Sequence, residues 1–154
     1  MKIVKLLCVL GLVLGAFSFG FAEQTKRTAS VAETKGVVEV KIGKGKWTPA
    51  KVGMELNQGD IIRTKKDSWA LVNLDGMAET ATVELKQNGQ LKMAELLENK
   101  DEQAQTTLLD LALGEILIEA KKLHSEKSKF EVKTPTSIVG VRGTTFSVSV
   151  EATN

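Results

Sequence analysis

Phe130-Glu131-Val132-Lys133-Thr134-Pro135-Thr136-Ser137-Ile138-Val139-Gly140-Val141-Arg142-Gly143-Thr144-Thr145-Phe146-Ser147-Val148-Ser149-Val150 is the stretch that decides the fold class. Apolar and polar residues alternate at both ends of it: Phe130 and Val132 flank Glu131, and Phe146, Val148 and Val150 flank Ser147 and Ser149. Side chains alternate faces along a strand, so each run offers one apolar face and one wet face. Pro135 fixes its own φ and holds Thr134 extended, so a strand ends or bends there. Gly140 and Gly143 permit bulges or close backbone approach. Arg142 interrupts the apolar run Ile138 to Val141, and two roles stay open for it. Its guanidinium either binds carbonyls or a carboxylate and fixes a bulge, or contacts a ligand or partner.

The same period of two recurs outward from this stretch. Val38, Val40 and Ile42 alternate with Glu39 and Lys41, and Ile116, Ile118 and Ala120 repeat the pattern. Lys92 to Asn99 comes nearest to a helical period, but Gly89 just before it suits a turn. Turn residues punctuate the chain at Gly43-Lys44-Gly45, Gly53, Gly59, Asp75-Gly76, Asn88-Gly89 and Gly114. The expectation is an all-β single domain of about ten short strands, arranged as a sandwich, barrel or β-solenoid. A three-residue loop Gln87-Asn88-Gly89, with Gly89 left-handed in a G1 bulge, would pair Leu85 with Leu91 and Val83 with Met93 in one hairpin. Glu98 to Thr107 is polar and reads as an exposed loop, and residues 23–34 read as a flexible N-terminal tail ahead of a domain over 35–154.

Residues 1–22 have the parts of a secretory signal: Lys2 and Lys5, an uncharged run from Leu6 to Phe21, and the exit Gly20-Phe21-Ala22. Cleavage after Ala22 is expected. The alternative is a retained anchor, for which the run is short against the roughly 17–25 residues of a spanning helix. The chain carries 21 Lys+Arg, 19 Asp+Glu, one His, one Cys and a formal charge of +2. Removing Lys2, Lys5 and Cys8 with the leader leaves basic and acidic residues equal in number and no thiol. That composition excludes a disulfide scaffold, a Cys-His zinc site and a thiol nucleophile, and argues against a nucleic-acid binder. The expected location is the periplasm or the exterior, with no stable membrane span after cleavage.

Few residues carry recognisable chemistry. His124 is the sole imidazole, in the basic stretch Lys121 to Lys129, and reads as part of a solvated loop rather than as a general base, since no nucleophile motif accompanies it. Asp101-Glu102 has no calcium-loop pattern around it, and Gly43-Lys44-Gly45-Lys46 lacks the spacing of a phosphate loop and reads as a hairpin tip. No cofactor, metal or catalytic set is expected. Trp47 and Trp69 read as core or half-buried residues, with recognition as the other role open to them.

In order along the chain, the motifs resemble the FecR domain, a family named for a periplasmic regulator of iron-citrate transport. The resemblance begins at Lys35-Gly36-Val37-Val38-Glu39-Val40 and Trp47-Thr48-Pro49-Ala50. It continues through Leu56-Asn57-Gln58-Gly59-Asp60-Ile61-Ile62-Arg63-Thr64, Ser68 to Gly76, and Leu109 to Leu117. Its hallmark is the opening stretch, Thr134-Pro135 followed by Val141-Arg142-Gly143-Thr144-Thr145-Phe146. The resemblance marks Gly59, Asp60, Thr64, Thr134, Pro135, Arg142, Gly143, Thr144 and Phe146 as motif residues, structural in the first place and candidates for partner contact. It implies a non-enzymatic binding or assembly module of the cell envelope, with an envelope protein or glycan as partner. The alternative is the periplasmic sensory part of a transmembrane signalling system of the iron-uptake type. Transmembrane members carry a cytoplasmic segment that binds a sigma factor; the few residues ahead of Leu6 leave no room for one, so no direct sigma-factor contact is expected.

Overall fold

The computed structural model describes residues 24–75, 80–122 and 125–152; the leader and His124 lie outside them. The strands are β1 (Gln24–Lys26), β2 (Ala29–Lys35), β3 (Val38–Lys41), β4 (Trp47–Pro49), β5 (Glu55–Leu56), β6 (Ile61–Thr64), β7 (Trp69–Leu74), β8 (Ala81–Leu85), β9 (Gln90–Asn99), β10 (Ala104–Ala120), β11 (Lys129–Lys133), β12 (Ile138–Gly140) and β13 (Thr145–Val150). The protein is all-β, and the described residues hold no helix. Alternation drives burial: Ala70, Val72 and Leu74 of β7, Ala81, Val83 and Leu85 of β8, and Phe130 and Val132 of β11 all point into one core. Ile42 does not follow Val38 and Val40 inward; it lies beyond β3 at the hairpin tip and is exposed.

All thirteen strands form one curled sheet of two leaves that share β10. The first leaf runs β4-β3-β6-β9-β10-β11-β12, with β1 beside β9; the second runs β5-β2-β7-β8-β10-β13. Among the described strands, only β10 and β11 pair in parallel. The first half of β10 lies between β9 and β11, and its second half between β8 and β13.

Bulges explain the stretches where alternation is illegible. The register between β9 and β10 slips past Ala94, which turns both Met93 and Leu96 inward and produces the near-helical spacing of Lys92 to Asn99. A second slip past Ala112 moves the buried set of β10 from Leu109 and Leu111 to Ile116 and Ile118. There Gly114 adopts φ +91°, and a Cβ on it would stand 2.5 Å from the Gly89 Cα. The backbones of the two glycines therefore touch where β10 passes from one leaf to the other.

The hairpin expected at residues 87–89 does not form. β8 pairs with β7 and β10, whereas β9 pairs with β6, β10 and β1, so residues 86–89 carry the chain across from one leaf to the other. Leu85 faces Ile116 and Ala70, and Leu91 faces Leu111 and Ile62. The left-handed residue is Asn88, at φ 55°, rather than Gly89. Thr64 holds this crossing: its Oγ1 donates to the Lys86 carbonyl at 2.5 Å and accepts from the Gly89 N–H at 3.0 Å, and its own N–H donates to the Gly89 carbonyl.

Two segments expected to be irregular are strands. β9 extends to Asn99 and β10 starts at Ala104, which leaves only residues 100–103 as the turn, because Leu96, Ala104 and Thr107 are buried despite their polar neighbours. The segment expected as a flexible tail supplies β1 and nearly all of β2, with Ala29 and Val31 in the core. Its anchor is Arg27, 7% exposed, where the chain crosses between the leaves. The guanidinium forks onto Asp75, with Nε 2.8 Å from Oδ1 and Nη2 on Oδ2. It also donates to the hydroxyls of Thr107 at 3.0 Å and Thr80 at 3.1 Å, and to the carbonyls of Leu97 and Thr106.

Gly114→Ala should destabilise the protein by about 3 kcal/mol, since it forces a side chain into both a left-handed backbone and a backbone contact. Gly53→Ala, also left-handed but with nothing within 4 Å of its added Cβ, should lose only about 1 kcal/mol. Urea unfolding midpoints at constant m-value measure both.

Candidate functional site

The hallmark stretch folds into β11, a four-residue turn, β12, and the entry into β13. Thr134 builds the turn: its N–H donates to the Ser137 carbonyl at 2.8 Å, and its Oγ1 accepts from the Ser137 N–H at 3.0 Å. Pro135 sits exposed at the turn's apex, in keeping with a residue that has no N–H to satisfy. Val141 closes the hairpin, donating to the Phe130 carbonyl and burying its side chain. Gly143, at φ +64°, lets the chain pass against Lys122, whose Cα would stand 2.9 Å from an added Cβ. Phe146 is half-buried against the core.

This hairpin leaves a gap along β10. β11 covers residues 106–110 on one side of that strand and β13 covers residues 114–119, so residues 111–113 have no strand neighbour there. The gap opens into a groove of about 580 Å³, walled by the Thr134–Ser137 turn, floored by Ala112 and Leu113, and closed by Val148 to Ala152. Its surface combines hydroxyls of Thr136, Ser137 and Ser149, the apolar side chains of Leu113, Val148 and Val150, and one carboxylate, Glu151. A second hollow, of about 400 Å³, lies where Lys129 and Glu131 meet Gly140 and Arg142. Arg142 is exposed, and no carbonyl or carboxylate among the described residues takes its guanidinium. These groups suit hydrogen bonding to an extended chain or a hydroxylated ligand lying against a partly apolar floor.

The motif residues do not converge on one spot. Gly59 and Asp60 lie across the first leaf in the turn before β6. The buried Asp60 carboxylate accepts the N–H groups of Gly43 and Asn57, each at 2.7 Å, and so holds the β3–β4 hairpin tip against that turn. Thr64 reaches the groove through contacts, since it grips Gly89, Gly89 abuts Gly114, and Gly114 borders the gap. Among the described residues, no group of three His, Cys, Asp or Glu side chains is placed to hold a metal ion. Asp101 and Glu102 donate their backbone N–H groups to the Asn99 side chain, and the Glu102 carboxylate pairs with Lys127 at 3.1 Å. Sequence reasoning missed Leu113 and Glu151 as groove residues; Gly114 inside a long apolar run is the signal that β10 breaks there.

A family model for the FecR protein matches residues 60–154, the span that holds the whole hairpin and groove. The chain belongs to the FecR family. No curated protein and no solved structure matches it. The match starts at Asp60, so β1 to β5 belong to the FecR sheet of this chain although they precede the matched span.

Trp47 and Trp69 are both half-buried, Trp69 on β7 of the second leaf and Trp47 on the outer face of the first, where it stacks under Arg63, whose guanidinium carbon lies 3.8 Å from the ring centroid. Arg63 also donates from Nε to Glu39 Oε2 at 2.8 Å, and Lys65 approaches the same oxygen at 3.7 Å. The hydrogen bond from Arg63 holds the Glu39 carboxyl below the usual range, against the opposing effect of burial and with help from the charges of Arg63 and Lys65. A lowered folded pKa means that this pair stabilises the fold above the unfolded value, and that its contribution is lost as pH falls through the folded value. Arg63→Gln should move Glu39 up towards an ordinary glutamate, a shift read directly by carboxyl-carbon NMR titration.

Proposed function

We propose that this FecR-family protein is a non-enzymatic recognition module of the cell envelope, exported by the leader at residues 1–22 and cleaved after Ala22. The observation that carries this reading is the gap in β10. The family hallmark is spent on shaping a groove around an uncovered stretch of strand, with hydroxyls on its wall and Leu113 on its floor. Its partner is an envelope protein or glycan held by hydrogen bonds to that wall and by apolar contact with the floor. No helix among the described residues is long and apolar enough to cross a membrane.

The family membership favours a second reading, in which the same groove is the input of a periplasmic sensory component in transmembrane signalling. The two readings share the site and differ in the consequence of binding. In the first, the module holds or assembles its partner. In the second, occupancy is passed on to a membrane regulator, and deletion of the gene alters transcription.

Leu113 is 36% exposed, so Leu113→Glu should leave the melting temperature unchanged while charging the groove floor. Immobilised wild-type protein should retain a partner or glycan from envelope extract, and the Leu113→Glu protein should lose it. Recovery of the wild-type protein alone, or equal capture by the variant, would count against the groove. An unchanged transcript profile on deletion would argue against the sensory reading and leave the binding module standing.

A further inference from the structure

β13 is an unguarded sheet edge. Edge strands present unpaired N–H and C=O groups, and proteins blunt them by keeping them short or by placing Pro or Lys in them. The other open edges follow that rule. β4 has three residues including Pro49, β5 has two, β12 has three ending in Gly140, and β1 has three including Lys26. β13 has six residues, Thr145-Phe146-Ser147-Val148-Ser149-Val150, with no charge, proline or bulge.

The direction of its free groups is set by one bond. The Ala120 N–H donates to the Thr144 carbonyl, so the even-numbered residues of β13 exchange bonds with β10. Thr145, Ser147 and Ser149 then turn their backbone N–H and C=O groups away from β10, and no strand among the described residues meets them. Phe146, Val148 and Val150 are only half-buried, because the sheet ends beside them.

The charges at the two ends of this edge select the occupant. Lys121, Lys122 and Arg142 cluster at the Thr145 end, where the acids are Glu119, opposite Thr145 on β10, and Glu131, which shares a hollow with Arg142 and Lys129. The other end carries Glu151 and, one strand in, Glu115 paired with Lys86. An edge that is basic at one end and acidic at the other complements a copy of itself turned end for end.

We propose that β13 pairs antiparallel with β13 of a second copy across a two-fold axis at Ser147, joining the second leaves of two molecules into one sheet. This concerns assembly, and because Ser149 and Glu151 also line the groove, the second copy would meet the groove's rim. In that register Ser147 faces Ser147 of the second copy, Thr145 faces Ser149, and Phe146 faces Val148, so apolar meets apolar on the core side. Glu151 of each copy comes opposite Gly143 of the other, beside Lys122.

Sedimentation velocity of the purified protein over a concentration series should show a monomer converting to a dimer. Ser147→Pro removes an outward N–H from each side of the axis, and it should weaken dimerisation by about tenfold or more with an unchanged melting temperature. Glu151→Lys and Lys122→Glu should each weaken it, and the two together should restore it. A wild-type protein that stays monomeric at its highest soluble concentration overturns the proposal, as does a Ser147→Pro protein as dimeric as wild type. So does a charge swap that restores nothing, or an edge found occupied only by a different protein.

Discussion

The contact between Gly114 and Gly89 is the constraint on which the rest of the sheet depends. β10 has seventeen residues and serves both leaves, so it must bend in the middle while each half keeps its ladder. A bend of that kind needs an extra residue, a left-handed backbone and room for a second chain to cross. Ala112 supplies the first, Gly114 the second, and the missing side chains of Gly114 and Gly89 the third. Thr64 then fixes the crossing chain from below with bonds to Lys86 and Gly89. The slip in register also reverses which residues of β10 face inward, so both halves can feed one core only because the bulge lies between them.

Arg27 places a second joint under different physics. Burying a guanidinium costs several kcal/mol in desolvation, which is offset only when its donors are all placed. Here a carboxylate, two hydroxyls and two carbonyls surround it, drawn from the chain at Asp75, from the start of β8 and from β9 and β10. Removing the arginine would leave the half-buried Asp75 carboxylate with only the Thr80 hydroxyl as partner among the described residues, so the interaction acts less as a source of stability than as a requirement that these segments meet. It ties β1 and β2 into the sheet, and they lie ahead of the span that the FecR family model covers.

Legibility in the sequence followed the locality of each interaction. β3, β11, β13 and the second half of β10 could be read from alternation because a regular strand needs nothing beyond its own pleat. β9 and the first half of β10 could not be read so simply, since their bulges break the period and the partner that stabilises each bulge is distant in sequence. The expected hairpin at residues 87–89 failed for the same reason: turn chemistry was visible in Asn88-Gly89, but the pairing of neighbouring strands is decided by the whole sheet. Arg27 was invisible because a basic residue among Gln, Thr, Lys and Ser reads as solvated until its acceptors are known. The candidate site was half legible. Thr134 and Pro135 stand on the groove wall as motif residues, whereas Leu113 and Glu151 reach it only through the gap between β11 and β13.

The motif therefore divides by mechanics rather than by position. Asp60 and Thr64 are satisfied inside the sheet and leave no polar group for a partner, while Arg142 is exposed, as are Thr136, Ser137 and Ser149, which line the groove outside the motif. Between the two sets lies the uncovered backbone of residues 111–113, next to Gly114. A chain or sugar laid in the groove would bond at the place where the shared strand bends, so its binding free energy would act on the joint that sets the angle between the leaves. A ligand changes a fold only through a difference in affinity for two arrangements, and a joint held by glycine backbones has few side-chain contacts to rebuild. Under the proposed function, holding a partner and reporting its presence would be two uses of one piece of geometry, separated by how stiff the bend at Gly114 is.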